Sequence, residues 1–151
     1  AGRPWVVGYA LANEFTDHQL ESDNVFNMGH AKLRTTGLGP ELLAGDLPEL
    51  VTGKSRVWRA DAIVWESAFE SGSAVMTHSP SQLLYHHFKY VQFRRPGSVH
   101  VHLLGASTTS FTAGIRTQVG DVFEVQSDMF GKNLRNRLTK LTEERIELRS
   151  L

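Results

Sequence analysis

SRVWRADAIVWE, residues 55–66, is the stretch that decides the fold, because it places two β-prone tetrads around a short connection. The tetrads RVWR and IVWE are rich in Val, Ile and Trp, which are enriched in strands. The Ala-Asp-Ala between them is short enough to join two antiparallel strands. The stretch therefore predicts a β-hairpin with a structural role.

Other apolar or alternating runs predict further strands. Trp5 to Leu11 is an apolar run of strand length and is expected to form a largely buried strand. SVHVHLLG (98–105) and GDVFEVQ (120–126) alternate between apolar and polar residues, and each predicts a strand. SDMFGKNLRN (127–136) contains a glycine-centred turn that should lead to a short final strand.

One helix carries a strong start signal. Ser79 suits the N-cap, Pro80 suits the first helical position, and Gln82 supplies the third-position partner of a capping box. Apolar residues at helical spacing follow, which predicts a helix from about Pro80 to Phe93. Many short strands with one well-capped helix indicate an α+β fold dominated by antiparallel or mixed sheet.

The composition bounds the class of protein. With 151 residues and 40% hydrophobic content, the chain is long enough for one domain with a core. Sixteen basic residues balance sixteen acidic ones, so charge favours a small molecule or another subunit as the partner over nucleic acid or an anionic membrane. The absence of cysteine excludes disulfides and Cys-based zinc sites. No apolar stretch approaches the roughly 20 residues of a membrane span, and a cytoplasmic location is the default expectation.

A polar cluster follows the first apolar run in GYALANEFTDH, residues 8–18. Glu14, Asp17 and His18 are close enough in sequence for a turn or helix start to bring them into one small volume. Two carboxylates and an imidazole there would suit a hard divalent cation. The alternative is structural: Thr16 and Asp17 cap a short helix, while Glu14 and His18 face solvent.

Two further groups of residues are candidates for chemistry. Lys32 and Arg34 lie in GHAKLRTTG (29–37), where a cation can hold a substrate carboxylate. His100 and His102 share one face of their predicted strand, which resembles the paired histidines of a cupin metal site. The following LLGASTTSF contains no carboxylate to complete such a site, and the alternative is an ordinary polar strand face.

Four segments, taken in order, resemble the C-terminal part of the catalytic domain in the fumarylacetoacetate hydrolase superfamily. They are VVGYALANEFTDH, AKLRTTGLGPELL, GSVHVHLLGASTTSF and VGDVFEVQSDMFGKNLRN, and the match runs from about Trp5 to Asn136. That family has a strand ending in Asn-Asp, a lysine-containing segment before a Leu-Gly-Pro wall, a Gly-Thr-Pro-like turn, and a Gly-Asp-Val strand followed by Leu-x-Asn. Asn-Glu in place of Asn-Asp, together with FKYVQFRRPG and VHVH, is most similar to a bacterial branch of sugar-acid catabolism, the 2-keto-3-deoxy acid dehydratase-like enzymes.

The resemblance implies a mostly antiparallel β-sheet roll and an enzyme that acts on a 2-oxo acid with Mg²⁺, Mn²⁺ or Ca²⁺. It implies hydrolysis of a C–C bond, or dehydration or decarboxylation, through an enolate-like intermediate, in a protein that forms a homodimer. The site residues that follow from it and from the cation pattern are Glu14 as metal ligand, Lys32 and His18 as catalytic residues, and Arg34, Ser107 and Thr108 as substrate-binding residues.

The chain also departs from the family pattern. His18 stands where many relatives carry arginine, Glu21 stands near a common glutamine, and Ala106 replaces the threonine of the Gly-Thr turn, so Ser107 or Thr108 is expected to supply the hydroxyl. The family's Glu-x-Glu metal pair lies on a strand just before the turn that AGRPW resembles. We therefore expect residues 1–151 to be the C-terminal part of the domain, with an incomplete metal site and no activity alone. A second class of function is a non-catalytic binding or assembly module with the same fold.

Overall fold

The computed structural model describes residues 2–106, 108–142 and 147, and these residues form an α+β fold with antiparallel sheets. The strands are β1 (Gly8–Tyr9), β2 (Ala12–Asn13), β3 (Gly37–Leu38), β4 (Leu43–Ala44), β5 (Val51–Arg59), β6 (Ala62–Ser71), β7 (Val122–Gln126) and β8 (Leu134–Arg137). The α-helices are α1 (His18–Asp23), α2 (Met28–Ala31) and α3 (Pro80–Phe88). In the described ranges, no helix is long and apolar enough to cross a membrane.

The predicted hairpin is confirmed, and its strands are longer than the two tetrads from which it was predicted. Strands β5 and β6 pair from Val51 opposite Ser71 to the two-residue connection Ala60–Asp61. Ala60 has a φ of 52°, in the left-handed region that a tight hairpin turn requires and that glycine adopts at least cost. With β7 and β8, whose predictions are also confirmed, the hairpin forms a four-stranded sheet in the order β6-β5-β7-β8.

A row of alternating charges crosses this sheet. Glu66, Arg56, Glu124 and Arg135 are direct cross-strand neighbours on its four successive strands. Arg56 donates to Glu124 at 2.8 Å, and Arg135 lies 3.1 Å from the other oxygen of the same carboxylate. Burial alone would raise the pKa of Glu124, but donation from Arg56 and the nearby guanidinium charges outweigh it and leave that pKa below its usual value. The row favours this register because a one-residue slip would place each of these charges opposite a neutral residue and break the ion pairs.

The N-terminal segment packs on the β7–β8 end of the sheet. Strand β1 pairs with β4, and β2 pairs with β3. Between them, Leu11 is buried with Phe130 and Leu134 in a small core. Tyr9 packs edge-on against Phe130, with ring centroids 6.0 Å apart. This packing fixes the position of the polar residues that follow β2.

The capping box of α3 is confirmed, but the predicted helix end is wrong. The Ser79 hydroxyl accepts from the Gln82 amide, and the Gln82 side chain accepts from the Ser79 amide. The α-helix ends at Phe88, and residues Val91–Phe93 form a separate 3₁₀ turn. Tyr90 interrupts the helix because its backbone is extended, with ψ at 122°.

Two strand predictions are also wrong. The run from Trp5 to Leu11 does not form one buried strand, since only Gly8–Tyr9 pairs within it and Trp5 is 84% exposed. Residues 98–105 form no strand at all. Both stretches have β-prone composition, but among the described residues β4 pairs with only two residues of the first stretch, and no strand pairs with the second.

Candidate functional site

An ion pair joins two of the predicted site residues across the N-terminal part of the chain. Lys32, at the C-terminal end of α2, donates from Nζ to Glu14 Oε2 at 2.6 Å. Glu14 follows directly on β2, and both side chains are partly exposed. The Asp17 amide donates to the Ala31 carbonyl at 3.0 Å, which ties the start of α1 to α2. The contact therefore depends on packing of the two short helices.

A second ion pair lies beside the first one. Arg34 donates from Nη2 to Asp17 Oδ2 at 2.9 Å, while Asp17 Oδ1 accepts from the Leu20 amide at 3.1 Å. The Leu20 hydrogen bond and the Arg34 guanidinium together hold the pKa of Asp17 below its usual range. Asp17 is thus the N-cap of α1, as the structural alternative for this cluster predicted.

His18 is the first residue of α1, and its ring is held on two sides. Nδ1 lies 3.1 Å from Glu21 Oε2, one helical turn away. The Phe111 ring packs against the imidazole with centroids 5.0 Å apart. A carboxylate at Nδ1 favours the tautomer with its proton there, which leaves Nε2 as a proton acceptor. The surface that carries Glu14, Asp17, His18, Lys32 and Arg34 is called the α1–α2 surface below.

Within the described residues, the side chain of Thr108 is hydrogen-bonded to the main sheet and not to the α1–α2 surface. Its hydroxyl donates to the Ala68 carbonyl on β6 at 3.0 Å. Thr108 also lines a cavity of about 320 Å³ with Trp65, Ser67, Thr109, Thr112 and Ala113. Ser107, the other predicted hydroxyl, lies outside the described residues. The structure therefore brings four predicted site residues onto one surface and ties Thr108 to the edge of the main sheet.

Asn136 is a candidate that residue-level reasoning did not single out. Its Oδ1 is buried and has no hydrogen-bond partner among the described residues. The Asn136 amide packs directly against Gly37. A side chain at position 37 would not fit, because an added Cβ would collide with this amide. Gly37 pairs with Asn13, the residue before Glu14, so Asn136 supports the strand that positions the carboxylate. The available signal was the Leu-x-Asn pattern at residues 134–136.

The histidines predicted on a strand face meet a helix instead. His100 Nδ1 lies 3.1 Å from Nε2 of His87 on α3, and the His102 ring packs edge-on against His87 with ring centroids 4.9 Å apart. The facing nitrogens of His87 and His100 therefore bond to each other. Within residues 2–106, 108–142 and 147, no three His, Asp or Glu side chains are arranged to hold one metal ion.

The α1–α2 surface fits a hard divalent cation only in part. Such an ion takes six or more oxygen ligands, and Glu14 supplies one carboxylate that already binds the Lys32 ammonium. The two cations, two carboxylates and one imidazole of the α1–α2 surface are instead suited to holding a small anion and moving a proton. Comparison with protein-family models, with curated proteins and with solved structures finds no match to this chain.

Proposed function

We propose that this chain is part of an enzyme that acts on a 2-oxo acid or a sugar-derived 2-keto acid, by C–C bond hydrolysis or by dehydration or decarboxylation through an enolate-like intermediate. The observation that carries the proposal is the 2.6 Å contact between Lys32 and Glu14. It joins, across 18 positions of sequence, the two residues that the family resemblance assigns to one active site. The β-sheet roll, the homodimer and the assignment of residues 1–151 to the C-terminal part of the domain belong to the same proposal.

The side chains of the α1–α2 surface have distinct parts in this chemistry. Arg34 offers a planar pair of donors that matches a substrate carboxylate. One of these donors, Nη2, must first leave Asp17. The compact Lys32 charge stabilises the negative charge that develops on the substrate oxygen as the enolate forms. His18, oriented through Nδ1 by Glu21, exchanges the proton at Nε2.

The resemblance also assigns Mg²⁺, Mn²⁺ or Ca²⁺ to this site. When bound, such an ion polarises a carbonyl and holds a carboxylate. Because Glu14 is the one ligand that the resemblance assigns to the ion among the described residues, we assign no step of the reaction to the ion. The remaining carboxylates are those that the resemblance places upstream of Ala1.

One observation favours the second class of function, a non-catalytic binding or assembly module. Both cations of the α1–α2 surface are already neutralised, Lys32 by Glu14 and Arg34 by Asp17. In this second function the two ion pairs hold the residues around α1 and α2 in place and bind no substrate anion.

Turnover by lysine variants distinguishes the two functions. We would assay a panel of 2-oxo acids with Mg²⁺ or Mn²⁺, using a chain extended upstream through the Glu-x-Glu segment. Lys32→Met should reduce turnover at least a hundredfold, about 2.7 kcal/mol of transition-state stabilisation, with little change in melting temperature. Lys32→Arg should rescue poorly, because the guanidinium is bulkier and planar.

The matched control is Lys54→Met. Lys54 is also a partly exposed lysine paired with a glutamate, Glu66, but it lies on the main sheet. Its replacement should leave turnover unchanged. If Lys32→Met keeps most of the activity, the α1–α2 surface is not the active site, and if the upstream sequence lacks a Glu-x-Glu pair, the enzyme proposal fails in favour of the binding module.

A further inference from the structure

Three imidazoles meet between α3 and residues 98–104. His87 lies on α3, and His100 and His102 approach it from the extended segment. His87 Nε2 is 3.1 Å from His100 Nδ1, and the ring centroids of His87 and His102 are 4.9 Å apart. Phe93 stacks on His87 at 4.5 Å, and Phe88 packs edge-on against His100 at 5.2 Å. The polar contact is therefore enclosed by aromatic rings.

The contact between His87 and His100 works with one proton only. At 3.1 Å, one ring nitrogen must donate and the other must accept, so only one of the two facing nitrogens carries a proton. If both rings become protonated, two N–H groups and two positive charges face each other across that distance. His100 Nε2 is buried without a hydrogen-bond partner among the described residues, so an added proton there would also lack an acceptor.

The groups around the cluster offer no compensation for added charge. On α3, Lys89 lies 3.3 Å from His86. After the 3₁₀ turn, Arg94 has its Nε buried without a partner among the described residues. The described hydrogen bonds and ion pairs of the three rings include no carboxylate. Desolvation, followed by the charges of His87 and His100, holds the pKa of His102 below its usual 6.5.

The segment that carries His100 and His102 depends on side chains for its position. Residues 99–104 form no backbone ladder. Their alternation sends the two histidines toward α3, while Val101 and Leu103 line an apolar pocket of about 230 Å³ with Thr36 and Leu38 at strand β3. Loss of the imidazole contacts would therefore release the segment from α3 and uncover β3 at the same time.

We propose that His87, His100 and His102 form a proton-sensitive latch that holds residues 99–104 between α3 and β3 and opens when the cluster is protonated. A histidine whose folded pKa is depressed stabilises the fold above its unfolded pKa, near 6.5, and that stabilisation is lost as the pH falls through the folded value. The latch is accordingly closed above the unfolded pKa and opens as the pH falls below it, through the folded pKa of His102. This proposal does not depend on the α1–α2 surface being an active site.

Hydrogen–deuterium exchange of the full chain tests the latch. Exchange in peptides covering α3 is measured at pH 7.5 and 5.5 in EDTA, and rates are corrected for the intrinsic pH dependence of amide exchange. The segment packs on α3 through the imidazoles, so we expect protection of the helix amides to be at least tenfold lower at pH 5.5, while β5 and β7 stay protected. Equal protection at the two pH values would overturn the proposal, and so would a pH response that appears only when Zn²⁺ replaces EDTA.

A neutral double variant isolates the charge. His87→Gln with His100→Gln keeps a donor and an acceptor but cannot be protonated, so the pH ratio should fall below twofold. His78→Gln, an exposed histidine just before α3, is the matched control and should keep the tenfold ratio. If the double variant fails to fold, the ring-proton titrations of the wild-type chain decide: a His102 midpoint at or above 6.5 contradicts the latch.

Discussion

Replacement of Asp121 by asparagine tests the ion pair that closes one end of the four-stranded sheet. Asp121 is 1% exposed, and its two oxygens accept from Arg59 Nε and Nη2, each at 2.9 Å. One of them also accepts from the Gln118 amide at 2.9 Å. Asparagine keeps the shape of the side chain but removes the charge and turns one acceptor into a donor that faces the guanidinium.

The expected loss follows from the burial of the two partners. Removing one member of a buried ion pair costs about 3 to 5 kcal/mol, because the other charge is left unpaired. Water recovers part of this cost, since the Arg59 side chain is 35% exposed. We therefore expect Asp121→Asn to lower the free energy of unfolding by about 3 kcal/mol and the melting temperature by roughly 6 to 12 °C.

Urea unfolding followed by tryptophan fluorescence measures this loss, with Asp128→Asn as the control. Asp128 is an exposed aspartate just after β7, and its replacement should change stability by less than about 0.5 kcal/mol. Arg59 and the Gln118 amide hold the pKa of Asp121 below its ordinary value of 3.8. The stabilisation is therefore present above about pH 4 and is lost as the pH falls through the folded pKa.

The role of the Asp121–Arg59 ion pair is tested at both neutral and acidic pH. The difference in the free energy of unfolding between wild type and Asp121→Asn should have its full value at pH 7 and should become smaller below pH 3.8. A loss below about 1 kcal/mol at pH 7 would show that the ion pair does not stabilise the sheet end. An undiminished difference well below that pH would show that the carboxylate charge is not the cause.

Three further predictions concern single side chains. Ala60→Gly should raise the free energy of unfolding by about 0.5 to 1 kcal/mol in a thermal melt, because it relieves the left-handed backbone of the hairpin turn, and a loss of stability would contradict this turn geometry. Gly53→Ala should destabilise β5 by about 1 to 3 kcal/mol in urea unfolding, because its Cβ would collide with the Gln126 carbonyl and the Phe69 ring; a neutral result would mean that the strands shift freely. Calorimetric titration of the 151-residue chain with Mn²⁺ should show no micromolar binding, and micromolar binding by the wild type would contradict this. The Lys32→Met variant should bind Mn²⁺ more tightly than the wild type, because Glu14 loses its ammonium partner.

Local sequence signals predicted the elements whose determinants are themselves local. The hairpin was predicted from two β-prone tetrads and a short connection, and the start of α3 from Ser79, Pro80 and Gln82. The residues that were wrongly assigned to strands, 5–7 and 98–105, have the same composition as true strands. Their outcome depends on whether another strand lies beside them, and that is a tertiary property which composition does not encode.

The candidate site divides in the same way. Asp17 as an N-cap is a local feature, and spacing alone was enough to raise it. The contact between Glu14 and Lys32 depends on how α1 packs on α2, so among the sequence signals only the family resemblance associated the two residues. Nothing in the sequence of α3 reveals that His100 and His102 lie opposite His87.

The hydrogen bond from Thr108 to Ala68 also bears on how the protein behaves at high concentration. Strand β6 is ten residues long and forms one edge of the main sheet, where free backbone groups offer a template for a strand from another chain. The Thr108 hydroxyl occupies the Ala68 carbonyl on that edge. The Ser67 hydroxyl donates to the same carbonyl at 3.2 Å, so two side chains cover one of the backbone groups that a strand from a second copy of the chain would need.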